Sequence, residues 1–121
     1  MALILLDKSA WVRRDESLDD LGEVCLCAMT RLEILVSARS FAEYEELSIG
    51  LGGFRDLRMN AGTFASAEAV HRELARTGEH RVSLPDLLIA ACAQQHGAAV
   101  LHHDRHFDLL AERFGFRSIR V

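Results

Sequence analysis

With 121 residues and a mass of 13.5 kDa, the chain has the length of one domain, and we expect a single domain over residues 1–121. Half of the residues are hydrophobic and 26% are charged, which excludes an intrinsically disordered chain. The net charge of −4 provides no overall basic surface, so any contact with nucleic acid must depend on local groups of lysine and arginine.

The three cysteines, Cys25, Cys27 and Cys92, all lie in apolar segments. An odd number of thiols in such surroundings is typical of buried, reduced cysteines, and the Cys-x-Cys spacing has no second pair that could complete a zinc site. The apolar segment at residues 2–6 is too short for a signal peptide or a membrane span. We therefore expect a cytoplasmic protein without membrane contacts.

The first half of the chain alternates between predicted strands and helices. Residues 2–6 are predicted as a strand, a short helix begins at Trp11, and RRDESLDDL follows as an exposed loop or helix. Residues 24–27 form a second strand and residues 28–37 a helix; the apolar face predicted for this helix comprises Met29, Leu32, Leu35 and Val36. Residues 41–51 form another helix that ends at two glycines, and FRDLRM is predicted as a strand.

The second half continues this alternation. TFASAEAVHRELARTG is predicted as a helix with Thr63 as its N-cap and Gly78 as its end. SLPDLLIAACAQQHG is a helix with Ser83 at the cap, Pro85 in the first turn and Gly97 after the end. AAVLHH, DRHFDLLAERFG and FRSIRV complete the chain as strand, helix and strand. Such alternation predicts an α/β fold, a parallel sheet with helices on both faces.

Carboxylates follow two of the predicted strands. Asp7 follows the first strand and Asp104 follows AAVLHH, and ligand sites in parallel sheets lie beyond these carboxyl ends. Glu33 and Asp86 lie in largely apolar helices, where an unpaired charge is costly. Each has a structural explanation when taken alone, because the aspartates suit helix N-termini and Glu33 can pair with a nearby arginine.

Taken together, the four carboxylates predict a metal site. They would repel one another at one edge of the sheet unless a cation neutralised them. Mg²⁺ and Mn²⁺ prefer oxygen ligands, and such an ion can activate water for the cleavage of a phosphodiester.

The segments LLDKSAW, TRLEILVSAR and LPDLLIAACAQQHGAAVLHHDRHFDLLA together resemble a PIN-domain ribonuclease of the VapC toxin type. The resemblance covers nearly the whole chain in the right order. It implies a three-layer α/β/α PIN-like domain with a central parallel sheet of four to five strands. It also implies a Mg²⁺- or Mn²⁺-dependent endoribonuclease that cleaves cellular RNA such as tRNA or rRNA, forms a homodimer and is inhibited by a cognate VapB-type antitoxin.

The same resemblance assigns roles to individual residues. The catalytic carboxylates are Asp7, Glu33, Asp86 and Asp104, and the metal ligands among them are Asp7, Asp86 and Asp104. Ser9 and Thr30 match supporting hydroxyl residues that orient the carboxylates. The chain departs from the family pattern at His106, where relatives often have a second aspartate, and this leaves the number of metal ions open.

Three histidines lie next to or near Asp104. A zinc site formed by His102, His103 and His106 is one alternative, but adjacent residues of a strand point to opposite faces. We expect these histidines to line the rim of the site and to contact RNA or solvent, without binding the metal.

Bulky apolar residues on predicted surface helices indicate an interface. Trp11, Phe41 and Tyr44 are expected to contact a second copy of the chain or the antitoxin, and an antitoxin arginine suits the acidic site. A phosphoacceptor receiver domain is excluded because a single acidic residue follows the first strand. A catalytically weakened PIN-like module that binds RNA or protein stays open as the alternative, and His106 is the feature in its favour.

Overall fold

A computed structural model describes residues 1–13 and 20–121 of the chain. Within them the strands are β1 (Leu3–Leu6), β2 (Glu23–Leu26), β3 (Arg55–Asp56), β4 (Ala99–His102) and β5 (Ser118–Arg120). They form one sheet in the order β3-β2-β1-β4-β5, and every pairing is parallel. The predicted α/β class with a central parallel sheet is therefore confirmed.

The helices cover both faces of this sheet. They are α1 (Lys8–Trp11), α2 (Ala28–Leu35), α3 (Phe41–Leu51), α4 (Ala61–Arg76), α5 (Leu84–His96) and α6 (His106–Phe114). Side chains of β1 alternate between two buried clusters: Leu5 packs with residues of α4, α5 and α6, and Ile4 and Leu6 pack with residues of α1, α2 and α3. Two cores on opposite faces of one sheet give three layers.

Helix α5 is the most buried helix of the domain, and its ends agree with the prediction. Ser83 is the N-cap residue, and Pro85 lies in the first turn, where its missing N–H costs nothing. Gly97 ends the helix at φ 65°, a left-handed conformation that glycine adopts without strain. Residues 89–93 between these ends are fully buried, so the helix is fixed firmly against the sheet.

Two helices begin earlier than predicted. Helix α1 starts at Lys8 because the side chain of Asp7 accepts the backbone N–H of Ser9 at 2.9 Å and so caps the helix. Helix α4 starts at Ala61 with Asn60 as its N-cap, and the predicted cap Thr63 instead lies in the first turn. The hydroxyl of Thr63 accepts the backbone N–H of Asn60 at 3.0 Å, which completes a capping box.

The apolar face predicted for α2 is right at Leu35, which is buried, and at Met29, which packs against the core, but wrong at Leu32 and Val36. Its buried residues are Thr30, Ile34 and Leu35, whereas Leu32 is 52% exposed and Val36 is 80% exposed. The helix is only eight residues long and ends at Leu35. Its apolar pattern is therefore short, and its packing against the sheet determines which side is buried. An exposed pair of apolar residues four positions apart is left on the surface.

The remaining differences are smaller. The strand predicted in FRDLRM is reduced to Arg55–Asp56 at the edge of the sheet. Most of the acidic segment RRDESLDDL, predicted as an exposed loop or helix, lies outside the described residues. All three cysteines are free and buried, as expected. Among the described residues, no helix combines the length and the apolar character that a membrane span requires.

Candidate metal centre

The fold brings the four predicted carboxylates to one cleft at the carboxyl edge of the sheet. Asp7 directly follows β1, and Asp104 lies two residues beyond β4, the strand that pairs with β1. Glu33 comes from α2 and Asp86 from the first turn of α5. All four line a cleft of about 720 Å³. The convergence expected from the placement of these residues in the sequence is therefore present.

Asp7 and Ser9 form a rigid unit in the floor of the cleft. Asp7 is 4% exposed, and one of its carboxylate oxygens, Oδ2, accepts hydrogen bonds from both the backbone N–H and the hydroxyl of Ser9. The Ser9 hydroxyl oxygen in turn accepts the backbone N–H of His103 at 2.8 Å. Ser9 thus ties the end of β1 to the residue that follows β4.

Crowding of the carboxylates changes their acidity. Burial is the largest cause that raises the pKa of Asp86 to about 7, and the charges of Asp7, Asp104 and Glu33 add to it. Burial and the charge of Asp7 also raise the pKa of Glu33, and the ammonium group of Lys8 partly opposes this shift. Among the described residues that line the cleft, the four carboxylates outnumber the two basic residues, Lys8 and Arg13.

Two carboxylates in the centre accept no hydrogen bond that would stabilise their charge within the described residues. Oε1 of Glu33 is buried and accepts no hydrogen bond from the residues that the structure describes. Asp86 is 7% exposed, and within residues 1–13 and 20–121 its side chain likewise accepts no hydrogen bond. Buried carboxylate oxygens without donors are suited to a hard divalent cation, so the residues present fit a Mg²⁺ or Mn²⁺ ion.

The closest set of potential ligand atoms includes a residue that we did not expect. One atom from each of Asp86, Asp104 and His106 lies within 4.8 Å of the other two in the described part of the chain. Asp7 lines the same cleft but does not belong to this group of three. Its assignment as a metal ligand stays a prediction.

The remaining predicted residues lie around the centre. Thr30 is fully buried one turn before Glu33, and its hydroxyl contacts Sγ of Cys27 at 3.5 Å, so its observed partner is a thiol rather than a carboxylate. His102 is also fully buried, so its expected position on the rim is wrong; its ring faces Ser118 of β5. β4 pairs with β5, which covers this side of the strand end.

Sequence reasoning missed Lys8 as a residue of the centre. Lys8 lines the cleft and opposes the shift in the pKa of Glu33. Its position directly after Asp7, at the start of a helix, is the signal that could have indicated it, because the first residue of a helix that follows a strand lies at the same edge as the strand end.

Comparison with known proteins identifies the family. The family model described as "PIN domain" matches residues 2–113. The chain belongs to the PIN-domain family. Among curated proteins, this PIN domain is 38% identical to Ribonuclease VapC17 of Mycobacterium tuberculosis, over 100% of its own length and 97% of the relative's length. It is 37% identical to Ribonuclease VapC51 of the same organism, over 88% of this chain and 77% of the relative.

Solved structures agree with this assignment. The PIN domain superposes with a TM-score of 0.75 and 25% identity, over 100% of both chains, on a member of the VapBC family of toxin–antitoxin systems, VapBC-5 from Mycobacterium tuberculosis. A VapBC2 structure from Rickettsia felis, bound to a promoter DNA fragment, gives a TM-score of 0.77 at 16% identity over 98% of both chains and shows the common fold. The resemblance to VapC-type PIN domains drawn from the sequence is confirmed.

Proposed function

We propose that this PIN domain is a Mg²⁺- or Mn²⁺-dependent endoribonuclease and the toxin of a toxin–antitoxin pair, acting in the cytoplasm as a single domain over residues 1–121. The convergence of Asp7, Glu33, Asp86 and Asp104 in one cleft supports this most strongly, in a chain that is similar over its full length to a named VapC ribonuclease. Phosphodiester cleavage is the chemistry that such a centre serves, and the proposed substrate is tRNA or rRNA, as the resemblance to VapC-type ribonucleases implies.

The residues that would hold the metal are Asp7, Asp86 and Asp104, whose carboxylates face the cleft. If Mg²⁺ or Mn²⁺ were bound there, it would supply a water of lowered pKa and positive charge to stabilise the negative charge that develops on the phosphate. Ser9 keeps the Asp7 carboxylate in one orientation through two hydrogen bonds, so this ligand needs no reorganisation.

Glu33 is the proposed general base. Its raised pKa and its buried oxygen, which accepts no hydrogen bond from a described residue, suit a group that accepts a proton from the attacking water. Thr30 supports Glu33 indirectly, because it fixes the first turn of α2 in the core. Lys8 and Arg13 line the same cleft and can hold RNA phosphates while the acidic residues act.

The proposed VapB-type antitoxin fits a group of apolar residues that lies beside the carboxylates of the cleft. Trp11 and Val12 line the cleft, and Val36 and Phe41 nearby along the chain are 80% and 75% exposed. An antitoxin helix with an apolar face could cover these residues and place an arginine against the carboxylates. Tyr44 of α3, 39% exposed, extends the same set of apolar residues.

The proposed homodimer suits a second surface. Phe64 of α4 and Leu84 of α5 are exposed and border an apolar cavity of about 230 Å³ between these helices. Helices α4 and α5 lie against the opposite core from α2 and α3. Two copies could therefore pair through α4 and α5 without covering the residues near α2 and α3 that are proposed to contact the antitoxin. Light scattering of wild type and Phe64→Ser at micromolar concentration tests this, and a monomeric wild type contradicts it.

The test of the enzymatic function is cleavage of purified tRNA and rRNA by metal-stripped protein with and without added Mg²⁺ or Mn²⁺. We expect cleavage only with the metal, and we expect Asp7→Asn and Asp86→Asn to reduce it to background. Glu112→Gln removes one carboxylate from the exposed part of α6 and is the matched control, which should cleave like wild type.

The same samples give a second measurement. Saturating metal at about 100 times its dissociation constant should raise the free energy of unfolding by about 2.7 kcal/mol. If Mn²⁺ changes neither the melting temperature nor the cleavage, the metal-dependent function is wrong. Metal binding without cleavage of any RNA would favour the PIN-like binding module instead.

A further inference from the structure

His106 is placed among the carboxylates of the centre. It is the first residue of α6, and its ring nitrogen Nδ1 lies 3.4 Å from Oδ1 of Asp104 and 3.9 Å from Oδ2 of Asp86. Adjacent ligand atoms of an octahedral ion with bonds of about 2.1 Å lie about 3.0 Å apart, and opposite atoms about 4.2 Å apart. The observed separations differ from these two values by about 0.4 and 0.3 Å, so small side-chain movements would let Nδ1 share an ion with either oxygen.

Asp86 gives independent reason to expect a cation at this point. Its side chain is nine-tenths buried at the start of α5, and no hydrogen bond from a described residue reaches either carboxylate oxygen. His106, whose side chain is 51% exposed, approaches it from the solvent side of the cleft. The space between the two side chains is therefore bounded by a buried oxygen on one side and a nitrogen on the other.

Three of the four ring nitrogens of His102 and His103 have partners elsewhere in the described part of the chain. Nδ1 of His102 accepts the backbone N–H of Asp104, and its Nε2 faces the hydroxyl of Ser118. Nδ1 of His103 faces the carbonyl oxygen of Val121. Nδ1 of His106 instead faces the carboxylates of Asp104 and Asp86, so it is a ring nitrogen directed at the proposed metal position.

We propose that His106 is a metal ligand through Nδ1, together with Asp86 and Asp104, and that this mixed nitrogen and oxygen set makes the centre prefer Mn²⁺ to Mg²⁺. The proposal rests on the metal-dependent function proposed above. Imidazole binds transition metals better than Mg²⁺, which keeps to oxygen ligands. An imidazole in place of an aspartate also lowers the negative charge that a hard ion such as Mg²⁺ needs.

The test uses the full chain, stripped of metal and titrated with Mn²⁺ or Mg²⁺ by calorimetry. Pulsed electron paramagnetic resonance of the Mn²⁺-loaded protein detects nitrogen-14 coupled to the ion. We expect this coupling in wild type and in the matched control His103→Ala, whose side chain lines the same cleft. We expect no coupling in His106→Ala, with Mn²⁺ binding weakened about tenfold or more and Mg²⁺ binding changed little.

His106→Asp provides the converse result. It should remove the nitrogen coupling and tighten Mg²⁺ binding. The preference for Mn²⁺ over Mg²⁺, measured as the ratio of their dissociation constants, should therefore become smaller. Mn²⁺ binding without nitrogen coupling in wild type, or with coupling retained in His106→Ala, overturns the role of His106 and leaves the metal-dependent function intact. If neither ion binds wild type, the metal-dependent function itself fails, so the two failures are distinguishable.

Discussion

The backbone N–H of Asp104 donates a hydrogen bond to Nδ1 of the fully buried His102 over 3.1 Å. Because Nδ1 accepts, the proton of the neutral ring lies on Nε2, which faces the hydroxyl of Ser118. That hydroxyl donates to Oδ1 of Asp108 at 3.1 Å. Burial lowers the pKa of His102, which favours this neutral form. His102 is thus a positioning residue for the loop that carries Asp104.

Substitution of His102 should reveal this role. His102→Leu leaves the N–H of Asp104 without an acceptor, and we expect a loss of about 1–3 kcal/mol in the free energy of unfolding and weaker Mn²⁺ binding. His102→Asn places an oxygen near the position of Nδ1 and should retain more of the metal affinity, although it also loses packing. Urea unfolding and calorimetry measure both effects. Equal Mn²⁺ affinity in wild type and both variants would contradict the positioning role.

Ser9 is expected to matter for catalysis more than for stability. Ser9→Ala removes the hydroxyl that donates to Asp7 and accepts from His103, but the backbone bond from residue 9 to Asp7 persists. We expect a loss of about 1 kcal/mol in stability and about a tenfold loss in cleavage rate, since the orientation of Asp7 becomes less fixed. Ser9→Thr keeps the hydroxyl and is the matched control. A cleavage rate for Ser9→Ala equal to that of wild type would show that the hydroxyl is dispensable.

The raised pKa of Asp86 predicts how the metal-free protein responds to pH. The folded pKa of about 7 lies above the ordinary value of 3.8, so the folded state keeps a proton that the unfolded chain has lost. Stability contributed by this group is complete below about pH 4, falls as the pH rises toward 7 and is constant above it, with a total loss of at most about 4 kcal/mol.

Asp86→Asn tests this dependence, because the amide cannot ionise. In EDTA at pH 8 we expect the variant to unfold at higher urea concentration than wild type, while it is inactive with metal. The free energy of unfolding should fall less steeply between pH 4 and 7 in the variant. Glu112→Gln controls for a general change in net charge. Parallel pH profiles for wild type and Asp86→Asn would show that Asp86 ionises normally in the folded state.

The exposed apolar residues of α2 and α3 provide a prediction about inhibition. Val36→Glu places a charge on a side chain that is 80% exposed, so the fold and the RNA cleavage should be unchanged. Binding of the cognate antitoxin should weaken about a hundredfold, since a charge would be buried in an apolar contact. Ala75→Glu on the exposed side of α4 is the control. If the antitoxin still inhibits RNA cleavage by Val36→Glu completely, it must bind a different surface of the domain.

Local chemistry in the sequence determined the order of the elements and most of their ends. The apolar strands around Leu5 and Val100 and the caps of α5 at Ser83 and Gly97 depend on residues adjacent in the chain, so they were predictable. Asp7 and Asp104 follow strands of a parallel sheet, which by itself places both at one edge. The positions of Asp7 and Asp104 could therefore be inferred from the sequence alone, and the resemblance to PIN domains added Glu33 and Asp86.

Only the tertiary structure decided what each face contacts. Leu32 and Val36 have the side chains of core residues, but the way α2 packs on the sheet buries Ile34 and leaves them exposed. His102 and His106 belong to the same short segment, yet pairing with β5 buries the first, and the start of α6 directs the second to the carboxylates. Such outcomes depend on elements distant in the chain, because a side chain is stabilised by what packs against it, and local sequence does not specify that neighbour.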